Sequence, residues 1–67
     1  MVTTRKSLGV VVRVRRQQIG FSQAEAARRS GMSYSEWTKI EQGLVDNPTW
    51  ATLRALCRVL NCTLDVL

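Results

Sequence analysis

Apolar residues along this chain fall into clusters separated by short polar, glycine-bearing breaks. The most regular cluster runs from Thr49 to Leu60. There Trp50, Leu53, Leu56, Cys57 and Leu60 recur at i, i+3 and i+4. That period puts them on one stripe of a helix. Asn61 offers a stop, and Thr63 a cap for one final turn over Leu64 to Leu67. Leu44 to Asn47 reads as a loop. It is closed by Pro48, which is tolerated near a helix start because its missing amide is not needed there.

Upstream the pattern is set by caps. In Ser22-Gln23-Ala24-Glu25 the serine can accept from the free amides of a helix start, and Glu25 can reach back to the Ser22 amide. The helix it opens, Gln23 to Ser30, is short and rich in Ala and Arg, and Gly31 ends it. A second capping box follows at Ser33-Tyr34-Ser35-Glu36, eleven residues after the first. It opens a helix to about Gln42, stopped by Gly43. Trp37, Ile40 and Met32 face inward, while Tyr34, Ser35, Thr38 and Lys39 lie on the outer face. The spacing predicts two short helices joined by a tight turn.

The first segment, Arg5 to Gln18, is ambiguous. Leu8, Val11, Val12 and Ile19 fall at helical spacing, yet Val10, Val12 and Val14 alternate with polar residues as in a strand. Gly9 weakens a helix there by about 1 kcal/mol relative to Ala. The capped helices that follow favour a helix here too. The expectation is an all-α fold, a bundle of four to five short helices.

Composition narrows the function. Sixty-seven residues allow one small domain, 1–67, with a short basic arm at 1–6. A chain of this size buries only about 60% of its unfolded surface, so help from a partner subunit is expected. Net charge is +5, and it is uneven: residues 1–29 carry +6 and residues 30–67 carry −1. An anionic partner on the basic side is one reading, and a solvated basic helix is the plainer one. Histidine is absent, which removes the commonest metal ligand and general base. Cys57 and Cys62 lack zinc spacing and are expected to be reduced, buried and inert. Val10 to Val12 is broken by Arg13, so neither a signal peptide nor a membrane span is expected. No enzyme, metal or cofactor is expected, and the cytoplasm is the expected compartment.

Two short helices at this spacing suit DNA. One helix fits the major groove, and a second crossing behind it fixes its angle. The crossing needs a small residue, a flexible turn and an apolar anchor, and Ala27, Gly31 and Trp37 occupy those places. At this point Gln23 to Gly43 resembles the helix-turn-helix of the Cro and phage-repressor family, the xenobiotic-response-element type. The resemblance rests on the Arg-rich first helix and on Gly20-Phe21-Ser22-Gln23-Ala24-Glu25. It extends to Gly31-Met32-Ser33, Ile40-Glu41-Gln42-Gly43, Pro48 and Leu60-Asn61-Cys62-Thr63-Leu64-Asp65. It implies a lambda-repressor-like fold with the helix-turn-helix at about 23–42.

The resemblance also implies roles. Gln23, Ser33, Tyr34, Ser35, Thr38 and Lys39 match base-facing or groove-edge positions. Arg16, Ser22, Gln42, Gly43, Asn47 and Thr49 match positions near phosphates. Arg16 and Glu41 match an internal ion pair. Leu44, Val45, Trp50, Val66 and Leu67 lie where relatives dimerise. Some residues keep a second reading: Tyr34 as cover for the helix start, Lys39 as a solvated lysine, Glu36 as capping partner rather than cytosine acceptor, and Trp50 as core. Trp37 stands where the family has Ile or Val, and Ala26 where it has Leu, which suggests an exchange of size between facing helices. Acidic Asp46 stands where relatives often carry a base.

The function expected is a sequence-specific DNA-binding transcriptional regulator, a repressor bound as a homodimer to an inverted repeat in double-stranded DNA. With one domain only, control would act through concentration or a second protein partner. An antitoxin or restriction-controller autoregulator is the neighbouring alternative. A protein-interaction module that does not read DNA is the alternative from another class.

Overall fold

The computed structural model describes residues 5–45 and 47–63, with side chains from Leu8 onward. Four helices fill these residues: α1 (Arg5–Ile19), α2 (Gln23–Ser30), α3 (Tyr34–Glu41) and α4 (Trp50–Leu60). Helix α1 begins at Arg5, so Arg5 and Lys6 of the expected arm are helical. The expected turn over 64–67, with Val66 and Leu67, lies outside the described residues, as does Asp46.

Helix α1 resolves the ambiguity of the valines. Val10 and Val14 are one helical turn apart and both exposed, while Val12 between them is fully buried. In a helix, positions i and i+4 share a face and i+2 lies opposite. Over three such positions a strand and a helix therefore give the same alternation. Leu8 and Val12 turn to the core, and Val11 packs at its edge. Ile19, by contrast, is exposed at the helix end.

Both central helices start as the caps predict, with one difference. Ser33 Oγ accepts from the Glu36 amide at 3.1 Å, and Glu36 Oε1 accepts from the Ser33 amide at 3.2 Å, a complete capping box. Ser22 Oγ likewise accepts from the Glu25 amide at 3.1 Å. Its return bond is absent, so this box is only half formed. The Glu25 carboxylate is taken instead by Arg28 and by Arg29 Nε at 2.6 Å. Those arginines lie at i+3 and i+4, on the same helical face as Glu25. Gly31 ends α2 at φ +79°, a conformation that favours glycine, and Met32 donates its amide back to Ala27 O at 3.1 Å.

Helix α4 is capped by Thr49, whose Oγ1 accepts from the Thr52 amide, and ends at left-handed Asn61. Helices α1 and α2 each pack against both α3 and α4. The core joins Leu8, Val12, Ala26, Ala27, Trp37, Ile40, Leu56, Val59 and Leu60. Ala26 and Trp37 both have no exposure in it. Cys57 and Cys62 are half-buried rather than buried, because they sit at the rim of this small core. Burial and its Cys62 neighbour push the Cys57 thiol pKa up. No helix among the described residues is long and apolar enough to cross a membrane.

Candidate nucleic-acid interface

Helix α3 is amphipathic across eight residues. Trp37, Ile40 and Glu41 are buried, while Tyr34, Ser35 and Lys39 are exposed. Ser33 and Gln42, at its two ends, are exposed as well. Tyr34 is 56% exposed. Thr38 is half-buried, and its hydroxyl donates to Ser35 O at 2.9 Å. The outer face therefore carries hydroxyl, amide and ammonium groups, the types that bond base edges and phosphates.

A buried carboxylate fixes this face to the scaffold. Glu41 is the last residue of α3, and its side chain is 3% exposed. Arg16 reaches it from α1, with Nε 2.6 Å from Oε2 and Nη2 3.2 Å from Oε1. Gln23 donates its side-chain amide to Oε1 at 3.1 Å from the first position of α2. Trp37, one turn back on α3, donates its indole N–H to Oε2. Burial pushes the Glu41 pKa up, but the hydrogen bonds from Arg16, Trp37 and Gln23 and the Arg16 charge outweigh it. The net pKa lies below the ordinary carboxylate value, and Glu41 stays ionised.

The network extends to the outer face. The Tyr34 hydroxyl donates to Gln23 Oε1 at 3.3 Å. The first residues of α2 and α3 are thereby joined, and three helices meet on one carboxylate. Arg16 also donates from Nη1 to Phe21 O at 2.9 Å. It is 11% exposed, so most of its donors serve the interior.

The other expected residues divide. Ser22 and Thr49 are exposed helix caps, and Asn47 is exposed in the loop. Gly43 is buried just after α3, with its amide donated to Ile40 O at 3.1 Å. Leu44 is 64% exposed and Trp50 60%, so Trp50 does not belong to the core despite its spacing with Leu53. Val45 is half-buried against the core. Two structural contacts went unseen in the sequence. Arg15 donates from Nη2 to Leu60 O and Asn61 O, both at 3.1 Å, closing the C-terminus of α4. The Trp37 N–H could not be found from spacing, which marks an indole only as apolar.

A helix-turn-helix domain family model matches residues 7–67. The chain belongs to that helix-turn-helix family, and it is a DNA-binding transcriptional regulator of the Cro and phage-repressor type. SinR, solved in complex with DNA and described as the master regulator for biofilm formation, is 28% identical. The match covers 87% of this chain and 92% of SinR, with TM-score 0.81. The DNA-binding domain of the P22 C2 repressor is 28% identical, with 97% of this chain and 82% of that one covered and TM-score 0.82. Hydroxypropylphosphonic acid epoxidase from S. wedmorenis is 20% identical over 98% of this chain but only 35% of its own, with TM-score 0.86, a likeness of fold alone. No curated protein matches the sequence.

Proposed function

We propose that the chain is a transcriptional repressor that binds an inverted-repeat operator as a homodimer, with α3 in the major groove. The observation that carries this is the exposed face of α3. Ser33, Tyr34, Ser35 and Lys39 stand outward on a helix whose opposite side is tied to α1 and α2 through Glu41. A rigidly backed helix presenting hydrogen-bonding groups is what base readout requires. Ser22, Gln42, Asn47 and Thr49 flank that face as the contacts to phosphate, whereas Gly43, expected among them, is buried with its amide donated to Ile40 O. Arg16 serves mainly to hold Glu41. Structures of SinR with DNA and of the P22 C2 repressor domain, both at 28% identity, support the assignment.

The dimer is supported by exposed apolar surface. Leu44 and Trp50 flank the loop between α3 and α4, and a second copy would cover them together with Val45 and the C-terminal Val66 and Leu67. Two recognition helices about 34 Å apart would read half-sites one helical turn apart. The reading is of a binding protein, not an enzyme. The chain has no histidine, and its buried carboxylate is occupied by internal donors.

Selection of bound duplexes from a random pool tests the proposal. A symmetric two-part consensus, bound more weakly as salt rises, is expected. Failure to enrich any sequence would overturn it, and an asymmetric single site would overturn the dimer.

A further inference from the structure

The network that backs α3 also fixes which way its hydrogen bonds run. An ionised carboxylate offers acceptors only. Glu41 Oε1 lies 3.1 Å from the Gln23 side chain, so Gln23 must turn its NH2 group toward it. The other branch of that amide is an oxygen, 3.3 Å from the Tyr34 hydroxyl. An amide oxygen also only accepts, so Tyr34 must donate. A phenol has one proton. Once it is given to Gln23, the exposed side of the Tyr34 oxygen has only lone pairs to offer. The low pKa of Glu41 keeps the first step of this chain fixed at neutral pH.

The consequence bears on DNA. A phosphate oxygen has no proton to give, so Tyr34 in this state does not bond the backbone. In the major groove, adenine N6 and cytosine N4 donate, whereas guanine O6 and thymine O4 accept. Every base pair holds one base of each kind, so an acceptor on the protein reads which strand carries the amine.

We infer that Glu41, acting through Gln23, sets the Tyr34 hydroxyl as a hydrogen-bond acceptor that selects adenine or cytosine over guanine or thymine on the strand it faces. This rests on the DNA-binding reading above and specifies its chemistry at one position. Tyr34 is the reading residue. Gln23, expected from the sequence to contact a base itself, is a positioning residue that sets the polarity of Tyr34.

The test is to select duplexes from one random pool with the wild-type chain, Tyr34→Phe and Gln23→Ala, each checked for helical content. Tyr34→Phe removes the hydroxyl of an exposed residue together with its bond to Gln23. It identifies the position read by Tyr34 as the one where preference relaxes. At that position the wild type should prefer adenine or cytosine by about fivefold, the value of one neutral hydrogen bond. Gln23→Ala returns the proton to Tyr34, which can then donate as well as accept, and guanine and thymine should be admitted there. Guanine or thymine preferred by the wild type, no position relaxed by Tyr34→Phe, or an unchanged preference in folded Gln23→Ala would each overturn the inference while leaving DNA binding intact. If Gln23→Ala does not fold, the first two readings decide alone. Failure of the wild type to select any sequence would overturn the DNA-binding reading and this inference together.

Discussion

Glu41 is nearly removed from water, yet its two oxygens accept from Arg16, Gln23 and Trp37. Those donors offset the cost of burying the charge. Replacing it leaves Arg16 buried without its partner. Glu41→Gln is expected to lower stability at neutral pH by about 3 kcal/mol, measured by urea unfolding. Because the folded pKa lies below the ordinary value of 4.5, the contribution is present above that value. It is lost as pH falls through the folded pKa, so the gap between wild type and Glu41→Gln should narrow below pH 4.5. A gap that stayed constant on acidification would show that the ionised form is not what the donors stabilise. The ion pair with Arg16 was legible through family resemblance. The indole donor was not, nor was the inward turn of Gln23. Both depend on where α2 and α3 meet in space, which no local period encodes.

Between elements, α1 lies close against the C-terminus of α3. A Cβ added at Gly9 would lie 2.6 Å from Glu41 O and 2.7 Å from Ile40 O. The glycine that looked like a weakness in α1 is thus what lets the helix lie against α3. Gly9→Ala should lower the melting temperature, even though alanine favours helix by about 1 kcal/mol, because carbonyls of α3 must shift at a cost of about 1–3 kcal/mol. A higher melting temperature would contradict this packing. The start and stop of each helix were largely legible, because Ser22, Ser33, Gly31 and Asn61 act on their own few neighbours. The loss of the expected return bond from Glu25 was not, since Arg28 and Arg29 compete for the same carboxylate. The stripe on α4 left Trp50 open between core and dimer contact for a related reason. As the first residue of its helix it lies where the core has ended, and spacing alone carries no boundary.

Across the whole molecule, charge counting located the basic half but not its use. Arg15 and Arg16 turn to internal carbonyls and to Glu41, while Arg28 and Arg29 share Glu25. The surface proposed for DNA therefore depends less on the excess of arginine than on the outer face of α3 and the caps beside it. Leu44 and Trp50 are exposed apolar residues, and they form the core of the proposed dimer surface. An amide chemical-shift map of the protein on adding a duplex enriched by selection shows directly whether α3 meets DNA. The largest changes are expected at Ser22, Gln23, Ser33 to Lys39, Gln42 and Gly43, with Val10 and Val14 on the outer side of α1 little affected. Changes centred on α1 or α4, with α3 unmoved, would contradict binding through α3.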